Sequence, residues 1–191
     1  NKNKLHYFRK LYKKFVIKPS KSGSSFGVKI IKNNSDFLKF IKKIEKFKKI
    51  ISLQEDIIVE EFISGKELTV STIKFSGKIE ALAVTEIKYK NKFFDYQAKY
   101  SKGFAKHILP AKLTNNIYNK CLNLAIKSHA ILGCGSIART DFLLNYKNKK
   151  IYYLETNSQP GLTSMSLLPE QAKFKNISFE NLIFNILKKN I

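Results

Sequence analysis

The chain has 191 residues, 43% of them hydrophobic, which suffices for a packed core and excludes a wholly disordered polymer. Its 36 Lys+Arg against 14 Asp+Glu leave a formal charge of +22, attractive to nucleic acid, anionic lipid or phosphorylated ligands; the lysines are spread through nearly every segment, so no specific nucleic-acid footprint is expected. No apolar run reaches membrane-spanning length, and the start, Asn1-Lys2-Asn3-Lys4, has neither initiator methionine nor apolar secretory core, so the expectation is a cytoplasmic chain that begins inside a longer gene product.

In chain order, the basic patch Lys10, Lys13 and Lys14 reads as a solvated flank of the strand that follows. Phe15 to Lys18 is that strand, stopped by Pro19; a polar small-residue loop, Ser20 to Ser25, leads to renewed strand character over Phe26 to Ile31. Phe37, Ile41, Ile44 and Lys48 recur at helical spacing, with Ser35 or Asp36 as cap, and predict one helix. Ile57 to Val59 is a further strand, Ser64-Gly65 turns the chain, and Leu68 to Phe75 with Ile79 to Ile87 form an antiparallel pair around Ser76-Gly77. Lys88 to Pro110 reads as one long irregular loop, unusual in a compact protein unless it is functional or disordered.

Ile117, Cys121, Leu124, Ala125 and Ser128 then mark a helix ending near Gly133. Cys121 suits its buried side, and Cys121 with Cys134 has no metal-site spacing and no oxidising context for a disulfide. Ile137 to Leu144 and Ile151 to Glu155 are strands joined by a polar turn containing Lys147, Lys149 and Lys150, and Phe179, Leu182, Ile183, Ile186 and Leu187 predict a final amphipathic helix. The ordering suggests two α+β units divided near residues 60 to 66, the first short of elements.

Chemistry concentrates in two places. Lys18 and the Ser/Gly loop to Gly27 have the materials of a phosphate clamp, a lysine at a strand end and small residues that expose backbone N–H groups, but without the Walker pattern they read equally well as a tight hairpin. Asp141 faces Glu155 across the late hairpin, and alternation puts Asn157 on the side of Glu155 and Arg139 on the side of Asp141. Oxygen donors at neighbouring strand ends suit magnesium against nucleotide phosphates; surface ion pairs or a structural turn are the other readings.

The full set of motifs resembles the D-alanine–D-alanine ligase family of the ATP-grasp class. It comprises Val16-Ile17-Lys18-Pro19-Ser20-Lys21-Ser22-Gly23-Ser24-Ser25-Phe26-Gly27, Val59-Glu60-Glu61-Phe62-Ile63-Ser64-Gly65-Lys66-Glu67, Asp95-Tyr96-Gln97-Ala98-Lys99-Tyr100, Arg139-Thr140-Asp141, and Glu155 through Ser166 by way of Asn157, Pro160 and Gly161. These motifs, in order, cover nearly all of the chain from Phe15 onward. The fold implied is α+β ATP-grasp, with a partial central ATP-binding subdomain over residues 1–63 and a carboxy-terminal catalytic subdomain over residues 64–191.

The resemblance implies ATP and two Mg2+, with Mn2+ as an alternative, and ligation of two D-alanine molecules through an acylphosphate for peptidoglycan precursor synthesis. It implies that Lys18 touches ATP phosphate and that Ser24 and Ser25 belong to the loop closing over phosphate and substrate. Glu60, Glu61, Phe62 and Ile63 resemble the hinge that meets adenine, Glu67 the ribose-binding carboxylate, and Asp141, Glu155 and Asn157 the metal ligands. Lys99 and Tyr100 lie on the segment that resembles a mobile cover, and Tyr100 in place of phenylalanine implies an amine rather than a hydroxy-acid acceptor. Arg139 and the Gly161 N–H resemble the oxyanion donors, and Ser166 with the Leu167 N–H the clamp on the acceptor carboxylate.

The family's amino-terminal domain, its first-substrate glutamate and a further nucleotide-contacting lysine have no match here, and Gly135 to Ala138, Thr140 and Ser158-Gln159 are local departures. The expected partner is therefore a missing or separately encoded amino-terminal portion, with a homodimer implied for the complete enzyme. An inactive nucleotide-binding fragment and a different ATP-grasp carboxylate–amine ligase are the alternatives.

Overall fold

The computed structural model describes residues 2–21, 26–50, 56–89 and 105–188. These fall into two compact units, one ending at Ile63 and the other beginning at Ser64.

In the first unit, alternation along β1 (Phe15–Pro19) sends Phe15 and Ile17 into the core at 0% exposure and leaves Val16 and Lys18 on the other face. β1 is central, paired antiparallel with β2 (Lys29–Ile31) and β3 (Ile57–Glu61). Strand structure resumes only at Lys29, after Gly27 with its φ of 70°, and not at Phe26. The segment before β1 is a helix, α1 (Lys2–Leu11), whose Arg9 Nη1 donates to the carbonyls of Tyr12 (3.4 Å) and Lys13 (3.0 Å) and so holds the turn that leads from the helix into β1. Lys10 therefore sits on a helix rather than beside a strand. Asn33 caps α2 (Asn34–Lys42) by accepting from the Asp36 N–H at 2.9 Å.

The single helix expected over Phe37 to Lys48 is two, because Lys43 closes α2 and α3 (Ile44–Ile50) restarts the chain. The break brings the Phe40 and Phe47 rings into edge contact at 5.2 Å, whereas seven residues of straight helix would hold them about 10 Å apart along the axis. With Leu5, Phe15, Ile17, Ile31, Phe37 and Ile44, they form this unit's core.

The second unit is built on a five-stranded antiparallel sheet in the order β6-β5-β4-β7-β8. Its strands are β4 (Gly65–Phe75), β5 (Lys78–Tyr89), β6 (Ala105–Ile108), β7 (Ile137–Asn145) and β8 (Ile151–Asn157). Ser76 and Gly77, with φ of 47° and 83°, make the two-residue turn that a β4–β5 hairpin requires. Gly65 starts β4 where a Cβ would come within 2.3 Å of the Leu144 carbonyl oxygen, so the strand can approach β7 only without a side chain there. The stretch expected as irregular up to Pro110 contains β6, which pairs Glu86 with Ile108 and Ile87 with His107.

The two faces of β4 have different partners. Leu68 and Val70 pack with Val84, Phe142, Leu144, Cys121 and Ala125 under α4 (Asn115–Ile131). Ile73 packs with Leu82, Ile137, Leu168, Ala172 and Leu182, against α5 (Leu167–Phe174) and α6 (Phe179–Leu187). Alternation alone does this on β4; on β5 a β-bulge turns Leu82 away from the side of Val84, the register passing from Val70↔Val84 to Thr72↔Ala81 and setting Leu82 and Ala83 against Ser71 alone. Buried His129 of α4 lies 2.8 Å from Thr72 Oγ1 through Nδ1 and 3.1 Å from the Gly135 carbonyl through Nε2. A carbonyl only accepts, so Nε2 carries the proton, and the imidazole ties the turn before β7 to β4. Among the described residues, no helix is long and apolar enough to cross a membrane.

Candidate functional site

The odd-numbered residues of β4 and β7 carry the polar cluster. Thr69 lies opposite Asp141, Ser71 opposite Arg139, and Glu67 opposite Leu143. On the other side of β7, Asp141 is registered with Glu155 and Arg139 with Asn157. Directly opposed residues on one face of an antiparallel pair hold their Cβ atoms roughly 5 Å apart, so the two carboxylates and the Asn157 amide line one patch of sheet.

Asp141 is buried, at 6% exposure, and its charge is met from two sides. Arg139 donates Nε to Oδ1 at 3.0 Å and Nη2 to Oδ2 at 2.9 Å, and the Thr69 hydroxyl donates to Oδ1 at 2.5 Å. Burial works against the Arg139 charge, but the Asp141 carboxylate, its hydrogen bonds, and Glu155 and Glu67 beyond it outweigh that and raise the guanidinium pKa. Glu67 accepts from the Tyr89 hydroxyl at 3.0 Å; burial first, and then that carboxylate, push the Tyr89 phenol up from its ordinary value. The Glu155 side chain makes no hydrogen bond or ion pair with any described residue, and Asn157 Oδ1 accepts from the Gln159 N–H at 2.9 Å.

This donor set fits a hard divalent cation. It is all oxygen, two carboxylates and an amide carbonyl, as magnesium and manganese prefer, and Asp141 Oδ2, which accepts only from Arg139, keeps lone-pair capacity, whereas Oδ1 is taken up by Arg139 and Thr69. Among the described residues no three His, Cys, Asp or Glu side chains cluster closely enough to hold a metal.

Beyond β8 the chain returns through Pro160 and Gly161 to α5. Ser166 occupies the N-cap position with φ −82° and ψ 146°, but its hydroxyl does not cap the helix. It lies 3.1 Å from the Thr163 N–H and 2.8 Å from the Thr163 hydroxyl instead. The Leu167 N–H, first in the helix, is one of the donors that helix geometry leaves without an internal partner, suited to an anion. Gly161 lies against Ser166 so closely that a Cβ on it would stand 2.8 Å from the Ser166 Oγ.

In the first unit, Lys18 on the outward face of β1 pairs with Glu60 of β3 at 2.8 Å. Glu60 and Glu61 close that strand, and Phe62 follows with its N–H bonded to the Lys14 carbonyl at 3.2 Å; Ile63 is the last residue of the unit. Ser24, Ser25, Lys99 and Tyr100 lie outside the described residues.

Three residues of the cluster are absent from the sequence reading. Thr69 and Tyr89 could have been found by projecting the strand pairing across β4 and β5, since each is on the same face as the carboxylate it touches. Gln171 sits in a helix that the sequence reading lacks, with no signal of its own.

A family model described as D-ala D-ala ligase C-terminus matches residues 2–188. The D-alanine–D-alanine ligase of Rickettsia typhi strain Wilmington is 45% identical over 175 residues, covering 91% of this chain and 51% of that protein. That of Wolbachia pipientis wMel is 42% identical over 178 residues, 93% and 53% respectively, so the chain spans about half the length of the curated relatives it matches. Among solved structures, D-alanine–D-alanine ligase from Bacillus anthracis superposes with a TM-score of 0.73 at 28% identity, over 97% of this chain and 57% of that one. The same ligase complexed with ATP gives 0.70 at 26% identity, over 97% and 56%. The chain belongs to the D-alanine–D-alanine ligase family, with the α+β ATP-grasp fold of its carboxy-terminal portion.

Proposed function

We propose that the chain is the ATP- and magnesium-handling part of a cytoplasmic ligase that joins two D-alanine molecules into D-alanyl-D-alanine, a peptidoglycan precursor. One observation carries this reading: Asp141 and Glu155 stand in direct register on β7 and β8, with Asn157 and Arg139 registered beside them. Family membership and 45% identity to a ligase so named support the substrate assignment.

Magnesium, as two ions, or manganese, held by Asp141, Glu155 and Asn157, would neutralise charge on the outer phosphates of ATP. The chain's own groups bind and orient the substrates. Lys18 offsets phosphate charge, the backbone from Glu60 to Ile63 receives adenine, and Glu67 holds the ribose hydroxyls. The hydroxyls of Ser24 and Ser25 meet phosphate and substrate, while Lys99 and Tyr100 cover the reacting groups against water. Arg139 and the Gly161 N–H donate to the oxygen that gains charge when the acceptor amine attacks the activated carboxyl carbon. Ser166 and the Leu167 N–H hold the acceptor carboxylate. In this reading residues 1–63 are part of the central ATP-binding subdomain and residues 64–191 the catalytic one. The first-substrate site comes from the part of the relatives that this chain does not span, and the complete enzyme is a homodimer.

The experiment supplies the chain with the amino-terminal half of a relative, ATP, magnesium and paired amino acids, and identifies products by mass spectrometry. D-alanyl-D-alanine with stoichiometric phosphate is expected. Phosphate release with a different carboxylate–amine pair, and none with D-alanine, would overturn the substrate assignment.

A further inference from the structure

We propose that Gln171 is a positioning residue that ties the acceptor end of the site to its metal-facing end, an inference that rests on the roles given above to Ser166 and Asp141. Gln171 is fully buried at 0% exposure, where a polar amide is tolerated only when its hydrogen bonds are made. They are made to β4 and β5. Its Oε1 accepts the Ser71 N–H at 2.8 Å, and its Nε2 donates to the Thr69 carbonyl at 3.2 Å and the Thr85 hydroxyl at 2.9 Å. Both amide protons are used, and the contacts to the Ser71 N–H and the Thr69 carbonyl serve the backbone where the β4–β5 register shifts.

What lies at each end of this contact gives it a role beyond filling the bulge. Gln171 is one turn along α5 from Leu167, the helix's first residue, so its anchoring fixes where the helix start presents Ser166 and the Leu167 N–H. Thr69, whose carbonyl it holds, donates its own hydroxyl to Asp141 Oδ1. The path from Ser166 to Asp141 thus runs through a helical turn, two backbone groups and a β-branched side chain with little rotamer freedom. No part of it can shift without moving the next. A glutamate at this position presents no donor to the Thr69 carbonyl when ionised, and a methionine of similar length makes none of the three hydrogen bonds.

The test compares the intact chain with Gln171→Met, Thr69→Val and Leu168→Ala. The last empties part of the same core cluster without touching the amide contacts. Calorimetry reads the magnesium concentration that half-saturates binding of a non-hydrolysable ATP analogue, then the dissociation constant for D-alanine; unfolding midpoints are read alongside. Gln171→Met is expected to raise the magnesium and D-alanine values together by about tenfold, Thr69→Val the magnesium value alone, and Leu168→Ala neither, despite a comparable fall in midpoint.

Gln171→Met that lowers the midpoint like Leu168→Ala but leaves both constants in place overturns the proposal. Should Gln171→Met not fold, Thr69→Val decides, and an unchanged magnesium requirement there overturns it. An intact chain whose nucleotide binding ignores magnesium overturns the reading of the site itself, a different result from a magnesium-dependent chain indifferent to Gln171.

Discussion

Arg139 and Asp141, two residues apart on one face of β7, form a two-point ion pair with contacts of 3.0 and 2.9 Å. The guanidinium plane is thereby set by the carboxylate that, in the proposed function, would also meet the metal. Arg139→Lys keeps the charge and loses the fork. The expected outcome is about a 100-fold fall in turnover with less than about a threefold change in nucleotide affinity, read by steady-state kinetics and calorimetry on the same preparation.

Gly161 and Ser166 give a separable prediction. A methyl group on Gly161 would press on a hydroxyl already held by Thr163, so Gly161→Ala displaces the Ser166 clamp. Both Gly161→Ala and Ser166→Ala should raise the KM for the acceptor D-alanine by about tenfold and leave nucleotide affinity within twofold. Equal losses of acceptor and nucleotide binding would contradict the placement of Ser166.

Gly65 tests the fold rather than the chemistry. Its missing side chain admits the Leu144 carbonyl oxygen, which a Cβ would meet at 2.3 Å, and a backbone atom cannot swing aside as a side chain can. Gly65→Ala should lower unfolding free energy by about 1–3 kcal/mol, measured in urea, by forcing β4 away from β7.

Cys121 makes stability depend on alkaline pH. Burial, only partly offset by Lys120, pushes its thiol pKa from 9.0 up to about 11, so the native state keeps a proton that the unfolded chain gives up. The stabilising contribution is intact below pH 9.0 and is lost as pH rises towards about 11, amounting to about 2–3 kcal/mol over that window. Denaturant midpoints of the parent chain should fall more steeply across this window than those of Cys121→Ala. Parallel slopes would show that the thiol does not titrate with unfolding.

Sequence pattern carried the late strand pairing further than it carried the helices. The pairing of Asp141 with Glu155 could be read from two apolar strands and one polar turn, because strand alternation and a short connection leave few registers open. Helix α5 could not, since Pro169 reads as a breaker although it lies in the first helical turn, where a missing N–H costs nothing. With the helix went Gln171, whose partners, Thr69, Ser71 and Thr85, are about a hundred residues away in sequence and meet it only through tertiary packing. The break at Lys43 escaped for a similar reason: apolar spacing continues through it, and the Phe40–Phe47 contact that accompanies the turn is not local.

The central claim is that Asp141, Glu155 and Asn157 grip a divalent cation against a nucleotide's outer phosphates. Titration of a non-hydrolysable ATP analogue into the chain, at increasing magnesium, before and after the paired change Glu155→Gln and Asn157→Ala, tests it most directly. Binding should tighten with magnesium in the parent and lose that dependence, by about tenfold or more in half-saturating magnesium, in the variant. Equal magnesium dependence in a folded parent and a folded variant would contradict the account.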